Sequence, residues 1–367
     1  MMNKQLLSLV AALVLSTLCC PLFAQTDSAW KTKPLIKLSG FVDVFYAWDF
    51  NRTESGKRQA FFYNHNRHNE FNLNLGYLKL SAVHDKYRAN IALQAGTYTN
   101  DNYAAEPGVL KNVFEANAGV SLNRKNNLWI DAGIFASHIG FEGAVSSDNW
   151  TLTRSLLAEN SPYYLSGAKL TYTPGAKWEV AALVCNGWQR IQMVKGNSLP
   201  GFGTQLKYTA NEKLLLNWST FIGTDDPDST RRMRYFNNLY AVVKLSKKSA
   251  LTIGFDIGTQ QQSKGSAGYY TWLSPVLIYR YAFTDKWAAA LRGEYYQDVK
   301  GVIIATATPN GFKTSGLSLN LDYMPMPNVA CRVEGRWLNS ADKVFERMSG
   351  TVRDNVFIAA SIAVKFN

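Results

Sequence analysis

The stretch WAAALRGEYYQDVKGVIIATATPNGFKTSGLSLNLDYMPMPNVACRVEGRWL, running from Trp287 to Leu338, decides the architecture. Its apolar residues recur at every second position, as in Leu317, Leu319, Leu321 and Tyr323, with Ser318, Asn320 and Asp322 between them. That period belongs to a strand lying between an apolar and a polar environment. The runs 313–323 and 329–338 are joined by only Met324 to Asn328, whereas 287–298 is set apart by the long 299–312 segment. A tight connection next to a long one is the unit that the rest of the chain repeats.

The same alternation recurs in Phe114-Ala116-Ala118-Val120-Leu122, Leu128-Ile130-Ala132-Ile134, Leu214-Leu216-Trp218-Thr220 and Leu251-Ile253-Phe255-Ile257. Sixteen runs result: 35–50, 70–83, 87–98, 113–123, 128–139, 164–172, 178–186, 202–209, 214–223, 236–245, 250–259, 270–283, 287–298, 313–323, 329–338 and 354–366. Connections after even-numbered runs are short and rich in turn formers, such as His84-Asp85-Lys86, Thr173 to Lys177 and Thr284-Asp285-Lys286. Those after odd-numbered runs are long, including 51–69, 99–112, 140–163, 187–201 and 299–312. A soluble sandwich also alternates, but nothing in it sorts its loops by length. A transmembrane antiparallel up-and-down β-barrel does, with short periplasmic turns, long extracellular loops and an even strand number. Closure is required in lipid, where an open edge leaves backbone groups unpaired. The last run puts Val356, Ile358, Ala360, Ile362, Val364 and Phe366 on the lipid face. Run two changes phase near Tyr77, from Phe71, Leu73 and Leu75 to Leu78, Leu80 and Ala82, which predicts a bulge. Fourteen or eighteen strands also accommodate the pattern.

Composition agrees. The 367 residues are 47% hydrophobic, 18% charged and 13% aromatic, and the mean hydropathy of -0.16 excludes a helical membrane bundle. Residues 1–24 read as a cleaved signal peptide, with Lys4 in a basic start, an apolar core from Leu6 to Leu18 and Ala24 before the cut. A lipoprotein anchored at Cys19 or Cys20 is the rival, and bulky Leu18 argues against it. Residues 25–34 are expected as a short periplasmic segment and 35–367 as the barrel. No plug-sized domain is expected ahead of the first strand. Cys185 and Cys331 lie within strand-like runs and are expected as free thiols.

Several segments resemble a known family. Asn69-Glu70-Phe71-Asn72-Leu73-Asn74, Ala89 to Gly96 and Trp129-Ile130-Asp131-Ala132-Gly133-Ile134-Phe135 are similar to its opening hairpins. Thr153-Arg154-Ser155-Leu156-Leu157, then Ser161-Pro162-Tyr163-Tyr164 and Gly167, resemble its most distinctive stretch, and Ala290 to Asp298 a strand near its end. The family is the OmpL-like β-barrel porins of Gram-negative outer membranes. The resemblance implies an outer-membrane pore and supplies no solute.

A barrel of this width encloses an aqueous channel unless something fills it. The 140–163 connection is the candidate filler, because Glu142, Asp148, Trp150, Arg154 and Glu159 are mixed with Leu156, Leu157 and Ala158. It is expected to fold inward and constrict the pore; capping the mouth or packing on a neighbouring subunit is the alternative. By parity Arg292, Glu294, Asp298, Asn320, Asp322, Arg332, Glu334 and Arg336 point inward as a mixed-charge ladder. They form either a wall-stiffening salt-bridge lattice or a charged track that selects ions or sugars. Arg88, Lys169, Lys207 and Arg280 add inward cations, so a weak anion preference is expected.

The net charge of +12 suits lipopolysaccharide and small acidic solutes. Nucleic acid is not expected, since no basic cluster is interleaved with stacking aromatics. The expected partners are the lipid bilayer, lipopolysaccharide, small hydrophilic solutes and the barrel assembly machinery, with homo-oligomerisation open. No cofactor and no metal is expected. Turn chemistry accounts for Asp225-Asp226-Pro227-Asp228 at least as well as calcium does, and His65 and His68 read as solvated. Passive or weakly selective diffusion is the favoured function. An adhesive or structural barrel is the alternative, and a hydrolase using a rim histidine is a more distant one.

Overall fold

Strands with one face for lipid and one for the interior can satisfy their edges only by pairing around a circle, and this chain does so. The computed structural model describes residues 32–367; the signal peptide and most of the 25–34 segment lie outside them. In chain order the barrel begins with β1 (Leu35–Asp49), β2 (Phe71–Val83), β3 (Tyr87–Ala95), β4 (Val113–Ser121), β5 (Leu128–Ala136), β6 (Tyr164–Gly175), β7 (Trp178–Cys185) and β8 (Gly201–Asn211). It continues with β9 (Leu214–Gly223), β10 (Arg234–Lys244), β11 (Ser249–Gln261), β12 (Tyr269–Ala282), β13 (Trp287–Asp298), β14 (Phe312–Met326) and β15 (Val329–Ser340). A small hairpin, β16 (Phe345–Arg347) and β17 (Gly350–Val352), stands apart before the closing strand β18 (Asp354–Phe366). Each of the sixteen barrel strands pairs with its neighbour, and β1 pairs with β18 from Gly40 opposite Phe366 to Asp49 opposite Phe357.

All sixteen expected runs are strands, and the connections alternate in length as expected. Several turns are tighter than the sequence suggests. β6 runs on through Gly175 and β14 through Met326, leaving two-residue connections at Ala176–Lys177 and Pro327–Asn328. The expected run 87–98 ends early, at Ala95, and a helix, α1 (Thr97–Asn102), takes its last two residues and opens the connection to β4; the 140–163 connection contains a single turn, α2 (Leu156–Glu159).

The outer surface is apolar, with Leu319 62% exposed and Leu38, Leu78, Leu93 and Ile362 likewise uncovered. On a water-soluble protein such an area would be an aggregation hazard; here it is the lipid face. Aromatic pairs mark both interfaces. Trp178–Tyr208 and Trp287–Tyr323, with centroids 4.3 and 4.6 Å apart, lie by the short turns, and Tyr46–Phe71 at 5.0 Å lies by the long loops.

Two bulges correct the expected phasing. In β2 the register shifts between Leu73 and Leu75, ahead of Tyr77, so Leu75 turns inward and is fully buried. In β4 the pairing jumps from Ala92–Glu115 to Leu93–Val113, leaving Phe114 unpaired, and its ring stacks on Tyr77 rather than facing lipid. Cys185 and Cys331 are free thiols. Cys185 is buried, so a water-soluble maleimide should label it only after unfolding; modification of the folded protein would contradict this packing.

Candidate functional site

The 137–163 connection lies inside the barrel. A buried loop must find partners for its own N–H and C=O groups, and the β13–β15 wall supplies them. Glu334 accepts from the amide of Thr153 at 2.6 Å, Glu294 from that of Leu156 at 2.7 Å and Asn320 from that of Leu152 at 2.9 Å. Arg292 donates to the carbonyl of Thr153 at 2.6 Å, Arg336 to that of Arg154 at 2.9 Å, and Arg332 to those of Ser146 and Asn149. The ladder therefore binds loop backbone, and it is sealed from solvent under the loop.

The ladder is also cross-linked within itself. Arg292 meets Glu334 at 2.7 Å, Arg336 meets Glu294 at 2.6 Å, and Arg332 grips Asp322 at 2.7 Å. Glu142, from the loop, lies 3.9 Å from Arg292 and accepts from the amide and hydroxyl of Ser155, the residue that caps α2. Arg154 turns back to donate to the carbonyls of Gly143, Ala144 and Leu152. Arg292 thus lies within 3.9 Å of three carboxylates, Glu142, Glu294 and Glu334, and Arg336 shares Glu294 with it. Asp298 faces inward but takes no part: it accepts from the amides of Val302, Ile303 and Ile304 and so shapes the loop after β13.

The four loop residues expected at a constriction divide. Asp148 alone is accessible, with its side chain 56% exposed and paired with Lys365. Glu142, Arg154 and Glu159 are buried. Burial pushes Glu142 above the usual carboxylate range and raises Glu159 to about 7, although Arg154 and hydrogen bonds oppose both shifts. Glu159 accepts from the amides of Tyr63 at 2.9 Å and Asn64 at 3.3 Å, tying α2 to the first long loop.

On its other flank the loop packs Leu157 and Ala158 against Val276, Ile278 and Ala290, with Phe141 and Trp150 alongside. Above it, toward the long-loop end, inward aromatics of the strands (Phe45, Phe221, Phe236, Trp272, Phe312 and Phe357 among them) join Phe61, Phe62, Leu152, Ile304 and Phe345 of the loops in one apolar core. The expected polar interior did not include this core. Its sequence signal is an aromatic on the polar parity near the long-loop end of a strand, as in Asp43-Val44-Phe45. Across the lumen, a cavity of about 400 Å³ separates the loop from Tyr77, Lys79, Phe114 and Glu115 of β2 and β4.

The remaining candidates have other work. His65, expected in solvent, is buried with Nε2 2.9 Å from Asp43. His68 Nδ1 accepts from the amide of Asp49. His138 donates to the carbonyl of Thr220 at 2.8 Å, and burial depresses its pKa to about 4, leaving it neutral at ordinary pH. Asp225 accepts from the amide of Trp188, Asp226 pairs with Arg232 and Asp228 with Arg231. Among the described residues no His, Cys, Asp and Glu cluster is arranged to hold a metal ion.

A closed sixteen-strand barrel with an apolar outer surface, interfacial aromatics and a loop folded into its lumen defines an outer-membrane porin. The family described as "Putative beta-barrel porin-2, OmpL-like" matches residues 35–366, and the chain belongs to it. No curated protein sequence matches the chain significantly. Among solved structures, the anion-selective porin from Comamonas acidovorans superposes with a TM-score of 0.61 at 12% identity, covering 91% of this chain and 100% of that one. The outer-membrane channel DcaP of Acinetobacter baumannii gives 0.59 at 11% identity over 91% and 98%. The trimer form of OmpT from Vibrio cholerae gives 0.58 at 8% identity over 91% and 100%. At these identities the likeness concerns the fold.

Proposed function

We propose that this porin passes small hydrophilic solutes through a lumen narrowed by the 137–163 loop, along the β2–β4 side. One observation carries the reading: the loop is bonded to β13–β15, while an open cavity of about 400 Å³ lies between it and β2 and β4. Glu142, Arg154 and Glu159 set the loop's position; Glu142 and Asp148 both line the passage, and of the two Asp148 is the exposed one. Deleting 143–159 should raise single-channel conductance several-fold and alter ion selectivity. Unchanged conductance and selectivity in the folded deletion protein would overturn the assignment.

Selectivity follows from the inner wall below the loop. Arg88 is bonded to Asp131 at 2.6 Å and Lys169 stands 5.1 Å over the Phe135 ring, with Lys207 and Arg280 also on inward positions. This lean toward cations supports a weak anion preference, read as an anion-biased reversal potential under a salt gradient. A cation bias would refute it. The same reading includes lipopolysaccharide outside and the barrel assembly machinery during insertion as partners. Trimeric assembly also belongs to it, supported by the trimeric porin of like fold and testable by crosslinking in membranes.

A further inference from the structure

We propose that the cavity between the lumen loop and β2–β4 is a binding subsite for a neutral polyhydroxylated ring, a mono- or disaccharide by chemical class. The proposal rests on the constriction reading above and names the solute class for that passage. Its volume, about 400 Å³, lies within the range of small-molecule sites.

The first support is the β4 bulge. Without it Phe114 would share the lipid-facing parity of Ala116 and Ala118. The extra residue instead turns the Phe114 ring into the cavity beside Glu115, stacked on Tyr77 at 4.9 Å between centroids and 16° between planes. Bulges next to sites re-aim side chains in this way. The result is an aromatic surface at the margin of an apolar cluster that includes Phe41, Leu75, Tyr103 and Tyr164, joined across the cavity by Phe141 of the loop.

The second support is the state of the charges. Lys79 of β2 and Glu115 of β4 are bonded at 2.5 Å, Asp148 on the far wall is bonded to Lys365, and Glu142, the other charged group of the lining, is taken up by the Ser155 amide and hydroxyl. An ionised solute would have to break one of these pairs to gain a counter-charge of its own. A neutral solute leaves both intact. Its hydroxyls can donate to the unused lone pairs of Glu115 and accept from the unused N–H groups of Lys79, which are charge-assisted hydrogen bonds. The apolar C–H face of a sugar ring then lies on an aromatic side chain while its hydroxyl edge meets the ion pair.

The test is saturation-transfer NMR on the refolded protein in detergent micelles, with glucose and maltose as neutral probes and glucuronate as the acidic one. Saturable transfer to the sugar C–H protons is expected, with glucuronate binding about tenfold more weakly. Phe114→Ala should weaken sugar binding about tenfold, and Phe114→Tyr should retain it. Folding of each variant is read from its compact mobility on unheated gels. A folded wild type without saturable sugar binding would overturn the proposal. So would a folded Phe114→Ala protein that binds sugar unchanged, or tighter binding of glucuronate than of glucose. Single-channel recording separates this result from the constriction reading: loop-dependent currents without sugar binding sink the subsite alone. Sugar binding with currents unaffected by loop deletion sinks the constriction and keeps the subsite.

Discussion

Replacing Arg292 with alanine is expected to unseat the lumen loop. Arg292 is completely buried, donates to the Thr153 carbonyl and the Thr151 hydroxyl, and pairs with Glu334 at 2.7 Å and Glu294 at 3.4 Å. Its removal takes the paired cation from Glu142 and Glu334 and leaves Glu294 with Arg336. Breaking a buried ion pair from one side costs about 3–5 kcal/mol, because the remaining charges stay desolvated. The barrel hydrogen bonds do not depend on this residue, so the loss should appear as undocking of the loop. The measurement is trypsin cleavage at Arg154, which the wild type protects by burial and the variant should expose, together with a rise in conductance. Arg292→Lys should be intermediate, since an ammonium cannot reproduce the bidentate fork. Full protection of Arg154 in a folded Arg292→Ala protein would show that the wall does not hold the loop.

The second large effect is on pH. Glu159 joins α2 to the first long loop, and Arg58, Arg154, Arg336, Tyr63 and Tyr163 lie among the groups that interact with it. Burial raises its pKa from 4.5 to about 7. The docked loop therefore binds this proton more tightly than an exposed carboxyl does. Docking is strongest below the lower value and weakens as pH rises through the window to about 7, by about 3 kcal/mol in all. Conductance should accordingly be smaller at acidic than at mildly alkaline pH. Glu159→Gln should flatten most of the profile and hold the loop docked throughout. Any residual slope of the same sign falls to Glu142, whose pKa burial also raises. An unchanged pH profile in the glutamine variant would remove Glu159 from this role.

These two results hinge on residues whose types were visible in the sequence and whose roles were not. The alternation around Leu317, Leu319 and Leu321 placed Arg292, Glu334 and Arg336 on the inner face, and the burial pattern puts them there. The same parity assigned Asp298 to the ladder, but a loop that folds back over the strand end takes its carboxylate for three backbone amides. Phe114 and Leu75 escaped the parity rule because each lies at a bulge, where one inserted residue flips the side chain across the sheet. His65 looked solvated in a polar loop, yet that loop descends into the lumen and brings the ring to Asp43.

Local chemistry by itself determined the strands, their even number, the closure they require and the sorting of short from long connections. Each follows from a period of two and from lipid's refusal of unpaired backbone. What occupies the interior was decided only by tertiary structure. Alternation separates lipid from everything else, and a polar inner residue reads the same whether it meets water or a buried loop. That difference is made by contacts such as Glu334 with the Thr153 amide, 181 positions apart, and by the aromatics of many strands converging on the same few loops.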